Sequence, residues 1–455
     1  HCGGDGIRLR RIMIEAQPGP GDGKPPVTLP EDFPPGLKDS LLLVAGAVLV
    51  GGLTGLTGVA FLYALQFGNA GRIRIAGFLS DWPAGAGLGL FIVGVASCAA
   101  LASWMVRRFA ANAAGSGVPY VEKILRGPEH PDHRNVFLVK FVGGFIALSS
   151  GLILGREGPL VQMGAVIGER VGRWLGGVRN VWKPLMAAGA GAGLATAFNA
   201  PVGGTIFILE EVLRKVTPLS FVLAAAAAAT SALLQRGVFG MGQDFTVPGV
   251  AAGPPWNLPL YLIFGLLVGF LGVLYNKILL GFLASGGFLQ RIPPMPRSLF
   301  IGAMVGMVAW YLPRDAGGGD DVTAFILSGR GGVVLLLAVA LARFFLGPLS
   351  YAAGTPGGLF APVVALGALT GAAAGIGLHS ILPQAVPSPL AFAVAGMAAF
   401  FTATIRAPLT GIVICLEMTG CYELFLPMLA TCLGAYLTPT LMRSEPIYDA
   451  LAGRR

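Results

Sequence analysis

The sequence predicts an all-α protein that crosses a membrane many times, and three observations lead to that prediction. Hydrophobic residues make up 55% of the chain and charged residues only 12%, whereas soluble domains carry about 25% charged residues. Apolar segments recur at the length, about 20 residues, that a helix needs to cross the hydrocarbon core. No alternating pattern typical of a β-barrel accompanies them, so each segment satisfies its backbone as a helix.

The apolar segments predict about ten or more complete or partial crossings. They cover residues 40–67, 85–106, 136–154, 182–197, 219–234, 258–283, 298–312, 332–346, 362–381, 389–404 and 424–441. Many are short or interrupted, and the chain holds 69 glycines and 33 prolines. This pattern is typical either of broken helices around a buried site or of closely packed helices.

The net charge of +9 comes from Lys and Arg residues in predicted loops and tails, such as 105–109 and 213–215. By the tendency of such residues to stay on the cytoplasmic side, both termini are expected there. The arginines of 71–75 fall between the first two predicted spans and would lie on the other side. Residues 1–37 are polar and proline-rich, which predicts a disordered cytoplasmic tail without a signal peptide. The cysteines form no CxxC pair, so we interpret them as packing residues with no metal role.

Two related segments indicate an internal repeat. "NAPVGGTIFILE" (199–210) resembles "RAPLTGIVICLE" (406–417), and a glycine-rich motif precedes each one. We therefore divide a transmembrane domain of 38–455 into one repeat at about 40–236 and a second at about 257–442. A C-terminal helix is predicted from about residue 446.

Three glycine-flanked helix starts predict an anion site within the membrane. They lie in "AGSGVPYVEKIL" (114–125), "GREGP" (155–159) and "GTPGGLFAP" (354–362). A helix N-terminus offers free amide groups and the positive end of the helix dipole, and glycine lets an ion approach the backbone. A cation site would instead use carbonyl groups or rings of carboxylates.

These motifs resemble those of the CLC chloride channel and transporter family. The matching pieces, in the order of the family, are "GSGVP" (115–119), "GREGP" (155–159), "GGLFAP" (357–362) and "EPIYDAL" (445–451). The resemblance runs from about residue 38 to the C-terminus. It implies a fold of two inverted repeats with broken and tilted helices, of the bacterial type without the C-terminal CBS regulatory domains.

The resemblance also implies the residues of the anion site. Chloride would be held by the hydroxyl groups of Ser116 and Tyr448 and by the backbone amides of Leu359 and Phe360. No cofactor and no metal are implied. From the bare sequence, Ser116 would also fit a helix cap, and Tyr448 would also fit a tyrosine at the membrane interface.

Two glutamates have implied roles in proton transfer. Glu157 would be the outer gate, whose carboxylate mimics the anion until a proton neutralises it, with Gly155, Arg156 and Gly158 in supporting roles. The alternative to a gating role is that Glu157 is a structural partner of Arg156. Glu211 would be the inner proton acceptor.

The alternative for the acids at 210–211 is a charge pair with Arg214 and Lys215 at the cytoplasmic end. Some relatives carry an acid where this chain has Tyr120, which could alter the inner proton route around Glu122 and Glu211. Lys140 and Arg343 are interpreted as structural or field-setting.

The leading prediction for function is a proton-coupled chloride antiporter, and the alternative is a passive voltage- or pH-gated chloride channel with the same anion site. The protein is not expected to be an enzyme, since none of the four histidines suggests a base for Ser116. Its expected partners are chloride, protons and the lipid bilayer, with no nucleic acid. The resemblance implies a homodimer with one pore in each subunit, and we expect it in a bacterial inner membrane.

Overall fold

The computed structural model describes residues 36–83, 85–127, 135–176, 182–284 and 286–453. Within these ranges the secondary structure is helical, apart from two isolated backbone bridges. Seven helices of the described part are long and apolar enough to cross a membrane, and shorter apolar helices accompany them. The all-α, polytopic prediction is therefore confirmed. The predicted disordered tail at 1–37 lies almost entirely outside the described residues.

The first half of the described chain forms eight helices. They are α1 (Leu37–Ser80), α2 (Ala86–Phe109), α3 (Val118–Arg126), α4 (Val136–Ser149), α5 (Glu157–Trp174), α6 (Trp182–Phe198), α7 (Pro201–Phe207) and α8 (Pro218–Phe239). A short π-helical turn, Ile208–Val212, continues α7.

The second half forms ten helices and ends in a short C-terminal helix. They are α9 (Leu258–Leu283), α10 (Phe288–Arg291), α11 (Pro294–Tyr311), α12 (Asp320–Leu327), α13 (Val333–Ala352), α14 (Phe360–Ile381), α15 (Pro389–Ile405), α16 (Pro408–Thr419), α17 (Phe425–Leu441) and α18 (Ile447–Ala452).

One sequence prediction about the first two spans is wrong. The segment 71–75 was expected to fall between them, but it continues α1, which is 44 residues long. Its charged residues do not end the helix, because the Arg72 side chain turns into the protein and is only 7% exposed. The prediction also missed α16 as an apolar segment, since this helix is only 12 residues long.

Glycines bring equivalent helix pairs of the two halves into close contact. A Cβ added to Gly164 on α5 would collide with the carbonyl oxygen of Gly189 on α6, and the reverse also holds. Gly367 on α14 and Gly396 on α15 form the same mutual contact. Small residues at such crossings let two backbones approach within the membrane. The glycines therefore contribute both to closely packed helices and to broken helices, the two interpretations that the sequence offers.

The two related segments of the sequence bind each other through their glutamates. Glu210, after α7, accepts hydrogen bonds from the amide and the hydroxyl group of Thr410 at the start of α16, each at 2.7 Å. Glu417, near the end of α16, accepts a hydrogen bond from the amide of Gly203 at the start of α7, at 2.7 Å. We call this pair of contacts the reciprocal cap. Because each segment caps the start of the other, the two run antiparallel, as an inverted repeat requires.

Candidate anion and proton site

Three helices begin at one place in the middle of the fold. The loops before α5 and α14 are joined by two amide hydrogen bonds between Gly155 and Gly358, at 2.8 and 2.7 Å. The loop before α3 joins them, because the amide of Gly115 donates to Thr355 and its carbonyl accepts from Gly357, at 3.0 and 3.1 Å. The starts of α3, α5 and α14 therefore face a common point, where their free amides and dipoles favour an anion.

Gly158 shows how tightly the three segments meet. A Cβ at this position would lie 2.6 Å from the carbonyl oxygen of Ser116 and 2.9 Å from the Cα of Gly358. Any larger residue would push the starts of α3 and α14 away from α5. The other predicted supporting glycine, Gly155, lies beside the Glu157 carboxylate, which a Cβ there would contact.

The carboxylate of Glu157 occupies this point in the structure. Its side chain is 1% exposed, and Oε1 accepts a hydrogen bond of 2.7 Å from the amide of Phe360. The amides of Ala361 and of Glu157 itself also face the carboxylate. Of the two amides predicted to hold chloride, that of Phe360 therefore donates to the carboxylate of Glu157. The amide of Leu359 makes no hydrogen bond to this carboxylate among the described residues. A negative group of the protein holds amides that could equally hold an anion.

Ser116 and Tyr448 lie next to this carboxylate, and both are fully buried. The Tyr448 hydroxyl group is beside Ser116 and within electrostatic range of Glu157. The two hydroxyl groups are close enough to interact with each other, and the backbone amide of Ser116 donates to the Tyr351 hydroxyl oxygen at 3.3 Å. The four predicted chloride residues are therefore close together, and their roles remain predictions.

The walls around Phe360 are aromatic and uncharged. Its ring packs against those of Phe198 and Phe401, with centroids 4.5 and 4.1 Å away. Two nearby buried cations, Lys140 and Arg343, donate hydrogen bonds to backbone carbonyl groups and not to an anion. Lys140 donates to the carbonyl of Gly115 at 2.6 Å, and Arg343 donates to three carbonyl groups of the segment 315–318. These contacts support the structural interpretation of both residues.

Arg156 points away from the carboxylate that follows it. Its Nε donates to the carbonyl of Ala197 at 3.0 Å, and its guanidinium group lies 3.7 Å from Asp244 and 3.6 Å from Asp320. No ion pair joins Arg156 to Glu157 in the described part of the chain. The alternative in which Glu157 is a structural partner of Arg156 is therefore disfavoured.

Glu211 differs from its neighbour Glu210 in burial and in partners. The π-helical turn Ile208–Val212 carries both, and such turns are frequent at functional sites. Glu210 is held in the reciprocal cap, whereas Glu211 is 2% exposed and pairs with Arg214 at 3.5 Å. Glu211, the predicted proton acceptor, is thus buried. It also forms the ion pair with Arg214 that the sequence offered as the alternative to a proton-transfer role.

A cluster of charges around Glu211 joins three segments, and the sequence analysis predicted Glu122 and Arg214 near Glu211 but not Arg126 and Asp449. Arg126 at the end of α3 donates to the carbonyls of Glu211 and Val212. Asp449 on α18 lies 3.5 Å from Arg126 and 2.7 Å from Arg214. We call these residues, with Glu122 at 3.9 Å from Arg126, the inner charge cluster.

Two cavities lie close to the residues of the site. One has a volume of about 710 Å³ and is lined by Glu210, Glu211 and Pro446, among others. The other has about 290 Å³ and is lined by Gly115 and Leu451, together with Arg297 and Tyr351. The first reaches the inner charge cluster, and the second reaches the loop that carries Ser116.

The described residues contain no group of three His, Cys, Asp or Glu side chains arranged to hold a metal ion. The cysteines within the described ranges are unpaired.

The comparisons with known proteins cover most of the chain. A family model described as "Voltage gated chloride channel" matches residues 98–440. The "H(+)/Cl(-) exchange transporter ClcA" of Vibrio cholerae serotype O1 (strain M66-2) is 37% identical, over 90% of this chain and 88% of that protein. The protein of the same name from Yersinia pestis bv. Antiqua (strain Angola) is 35% identical, over 92% of this chain and 88% of the relative.

A solved structure agrees with these sequence relatives. It is described as the "X-ray crystal structure of a slow cyanobacterial Cl-/H+ antiporter". It is similar to this chain with a TM-score of 0.86 and 31% identity, over 90% of this chain and 97% of that one. The residues 98–440 that match the family model include the three converging helix starts. This chain therefore belongs to the voltage gated chloride channel family, the CLC family of membrane transport proteins.

Proposed function

We propose that this protein exchanges chloride for protons across a membrane. The observation that carries the proposal is the hydrogen bond from the Phe360 amide to the Glu157 carboxylate. A titratable side chain occupies amides that are suited to an anion, so protonation of that side chain and anion binding are linked. The names of the relatives, which describe chloride–proton exchange, support the same function.

Chloride would bind when Glu157 takes up a proton. A neutral carboxyl group loses most of its attraction to the helix start and leaves the amide of Phe360 free. Chloride would then be held by this amide, the amide of Leu359 and the hydroxyl groups of Ser116 and Tyr448. These donors carry only partial charges, so binding is weak enough for the ion to leave again.

The proton needs a second carboxyl group on the inner side. Glu211 fits this role because it is buried, lies within electrostatic range of Tyr448 and lines the larger cavity. Carboxylates within the membrane are the usual proton relays of transporters. The smaller cavity is lined by Ala114 and Gly115, which directly precede Ser116. We infer that the larger cavity admits protons and the smaller one admits chloride, with Arg297 at its wall attracting the anion.

The transport of these ions requires no bond-forming step, so we infer a transporter without enzymatic activity. We infer a homodimer with a site in each subunit, in a bacterial inner membrane with both termini in the cytoplasm. Exposed leucines on α17 support an interface between copies, since Leu429 and Leu433 are 43% and 53% exposed in the single chain.

The test is proton movement in reconstituted vesicles that start with a chloride gradient and no proton gradient. An exchanger drives protons in the direction opposite to chloride, creating a pH gradient that a protonophore abolishes. A passive channel lets chloride flow to its equilibrium without producing a pH gradient, at any starting pH. That second result would replace exchange by the channel alternative.

A further inference from the structure

A cation lies directly beside the gate carboxylate, and two aspartates from other segments hold it. Arg156 precedes Glu157 in the chain, and its guanidinium group lies within electrostatic range of that carboxylate. One terminal nitrogen of Arg156 faces both Asp244, at 3.7 Å, and Asp320, at 3.6 Å. We call Arg156, Asp244 and Asp320 the gate clamp. The proposed exchange cycle assigns no role to either aspartate.

The fold places Asp320 against the loop that carries the gate. Asp320 is the first residue of α12, and the segment before it is bonded to that loop. The amide of Gly317 donates to the carbonyl of Gly151 at 2.8 Å. A Cβ on Gly318 would lie 3.1 Å from the carbonyl oxygen of Leu154. The position of this aspartate is therefore set by backbone contacts and does not depend on its ion pair.

Asp244 lies in the segment between α8 and α9, which is bonded to two other parts of the protein. The amide of Phe245 donates to the carbonyl of Met418 on α16 at 3.0 Å. The side-chain amide of Asn199 donates to the carbonyl of Gly242 at 2.9 Å. The side chain of Asp244 is only 19% exposed. Because water and salt screen such a partly buried charge weakly, it acts on its neighbour strongly.

We propose that the two aspartates of the gate clamp are positioning residues, which bind and balance the charge of Arg156 and leave Glu157 free to take up a proton. This proposal rests on the exchange function described above. A cation without a partner would favour the charged form of the neighbouring carboxyl group. The carboxylate would then keep the amide of Phe360 until the solution became more acidic.

Other charged and titratable groups face the gate and the clamp from several elements. In chain order they are Arg72, Arg236, Arg314, Asp321, Arg343 and Tyr448. Asp320 itself also lies within electrostatic range of Glu157. Among the described residues, however, only Asp244 and Asp320 place a carboxylate within 4 Å of Arg156. These two are therefore the acids whose removal leaves the cation without a partner.

The two aspartates can be neutralised without changing the shape of their side chains. Asp244→Asn and Asp320→Asn should each move the pH midpoint of chloride flux to lower pH by at least about 0.5 pH unit. An adjacent opposite charge favours the charged form of a carboxyl group by about 1–3 pH units, and partial exposure to water reduces the effect. Asp320→Glu keeps the charge and should retain the wild-type midpoint. The matched control is Asp81→Asn, an exposed aspartate directly after α1.

A double-variant comparison shows whether an aspartate acts through Arg156. Asp244 is the better choice for this comparison, because Asp320 also lies within electrostatic range of Glu157. In a protein that carries Arg156→Gln, adding Asp244→Asn should cause no further shift, since no cation is left to balance. In a protein that carries Glu157→Gln, neither asparagine variant should change the pH dependence.

The experiment measures chloride efflux from vesicles that contain the whole chain, at a series of pH values that are equal on both sides. Proton movement is recorded separately. A wild type that moves no protons would contradict exchange, and the comparison of midpoints would still decide the role of the gate clamp. Unchanged midpoints in both asparagine variants would overturn the proposal.

Two further results would also overturn it. One is a shift in Asp244→Asn that is equally large with and without Arg156, because the aspartate would then not act through the cation. The other is a shift in Asp320→Glu as large as that in Asp320→Asn, because shape and not charge would then matter. If Asp320→Asn does not fold, the Asp244→Asn comparisons decide.

Discussion

Glu157 is the residue on which the account depends, because its carboxylate lies where an anion is expected. Its Oε1 holds the amide of Phe360, and the hydroxyl groups of Ser116 and Tyr448 lie close by. The same donors cannot serve the carboxylate and chloride at once. A proton that neutralises Glu157 therefore changes the affinity for the anion, which is the physical basis of coupling.

The hydroxyl groups of Ser116 and Tyr448 can be tested by calorimetry of chloride binding. Removing each in Ser116→Ala and Tyr448→Phe should weaken binding, because a hydrogen bond to a charge contributes about 1.5–3 kcal/mol. The matched control is Tyr275→Phe. Tyr275 is also fully buried, and its hydroxyl group has no hydrogen-bond partner in the described structure. Unchanged chloride affinity in the double variant would show that these hydroxyl groups do not hold the ion.

The neighbours Glu210 and Glu211 should respond differently to the same substitution. Glu211→Gln is expected to stop proton movement and leave passive chloride flux, because it removes a titratable group from the inner charge cluster. Glu210→Gln should remain coupled, since its side-chain oxygen can still accept from Thr410. Paired chloride and proton fluxes in vesicles measure both. If Glu210→Gln loses coupling and Glu211→Gln does not, the inner proton acceptor is Glu210.

At the level of helices, the reciprocal cap explains why the two related segments each end in glutamate. Glu210 and Glu417 satisfy amides at helix starts that would otherwise lack partners within the membrane. The cap holds Glu210 against α16, while Glu211 on the same π-helical turn lies buried in the inner charge cluster.

Loss of either cap should destabilise the protein without removing the anion site. Glu210→Ala and Glu417→Ala each leave amides unpaired, which is expected to cost about 1–3 kcal/mol. Thermal unfolding in detergent measures the effect, with Glu423→Ala as an exposed glutamate outside the cap. Equal unfolding temperatures for all three variants would mean that the reciprocal cap contributes no stability.

The sequence predicts some elements better than others, for physical reasons. The segment 258–283 coincides with α9 because its apolar residues are uninterrupted. Helix α16 was missed because its 12 residues are fewer than the about 20 that a complete crossing needs. The converging helix starts were predicted by their glycine motifs. The contacts of Asp449 with Arg126 and Arg214 join residues distant in sequence, so no local pattern could reveal them.

At the level of the whole molecule, the proposed homodimer places α17 at the interface between subunits. Replacing Leu429 and Leu433 together by alanine should weaken dimerisation, because both side chains are exposed in the single chain and would pack against the partner. Replacing Leu337 and Leu341 on α13, which are similarly exposed, is the control. Single-molecule photobleaching in vesicles measures the subunit number. An unchanged dimer fraction in the α17 variant would move the interface elsewhere.

Coupling through Glu157 is tested most directly by chloride-driven proton movement in vesicles containing Glu157→Gln. Glutamine imitates the neutral carboxyl group but cannot carry a proton across. The wild type and the control Glu169→Gln, on the same helix but paired with Arg173, should move protons against a gradient as chloride flows. Glu157→Gln should pass chloride and move no protons. Proton movement in Glu157→Gln that equals the wild type would contradict the account.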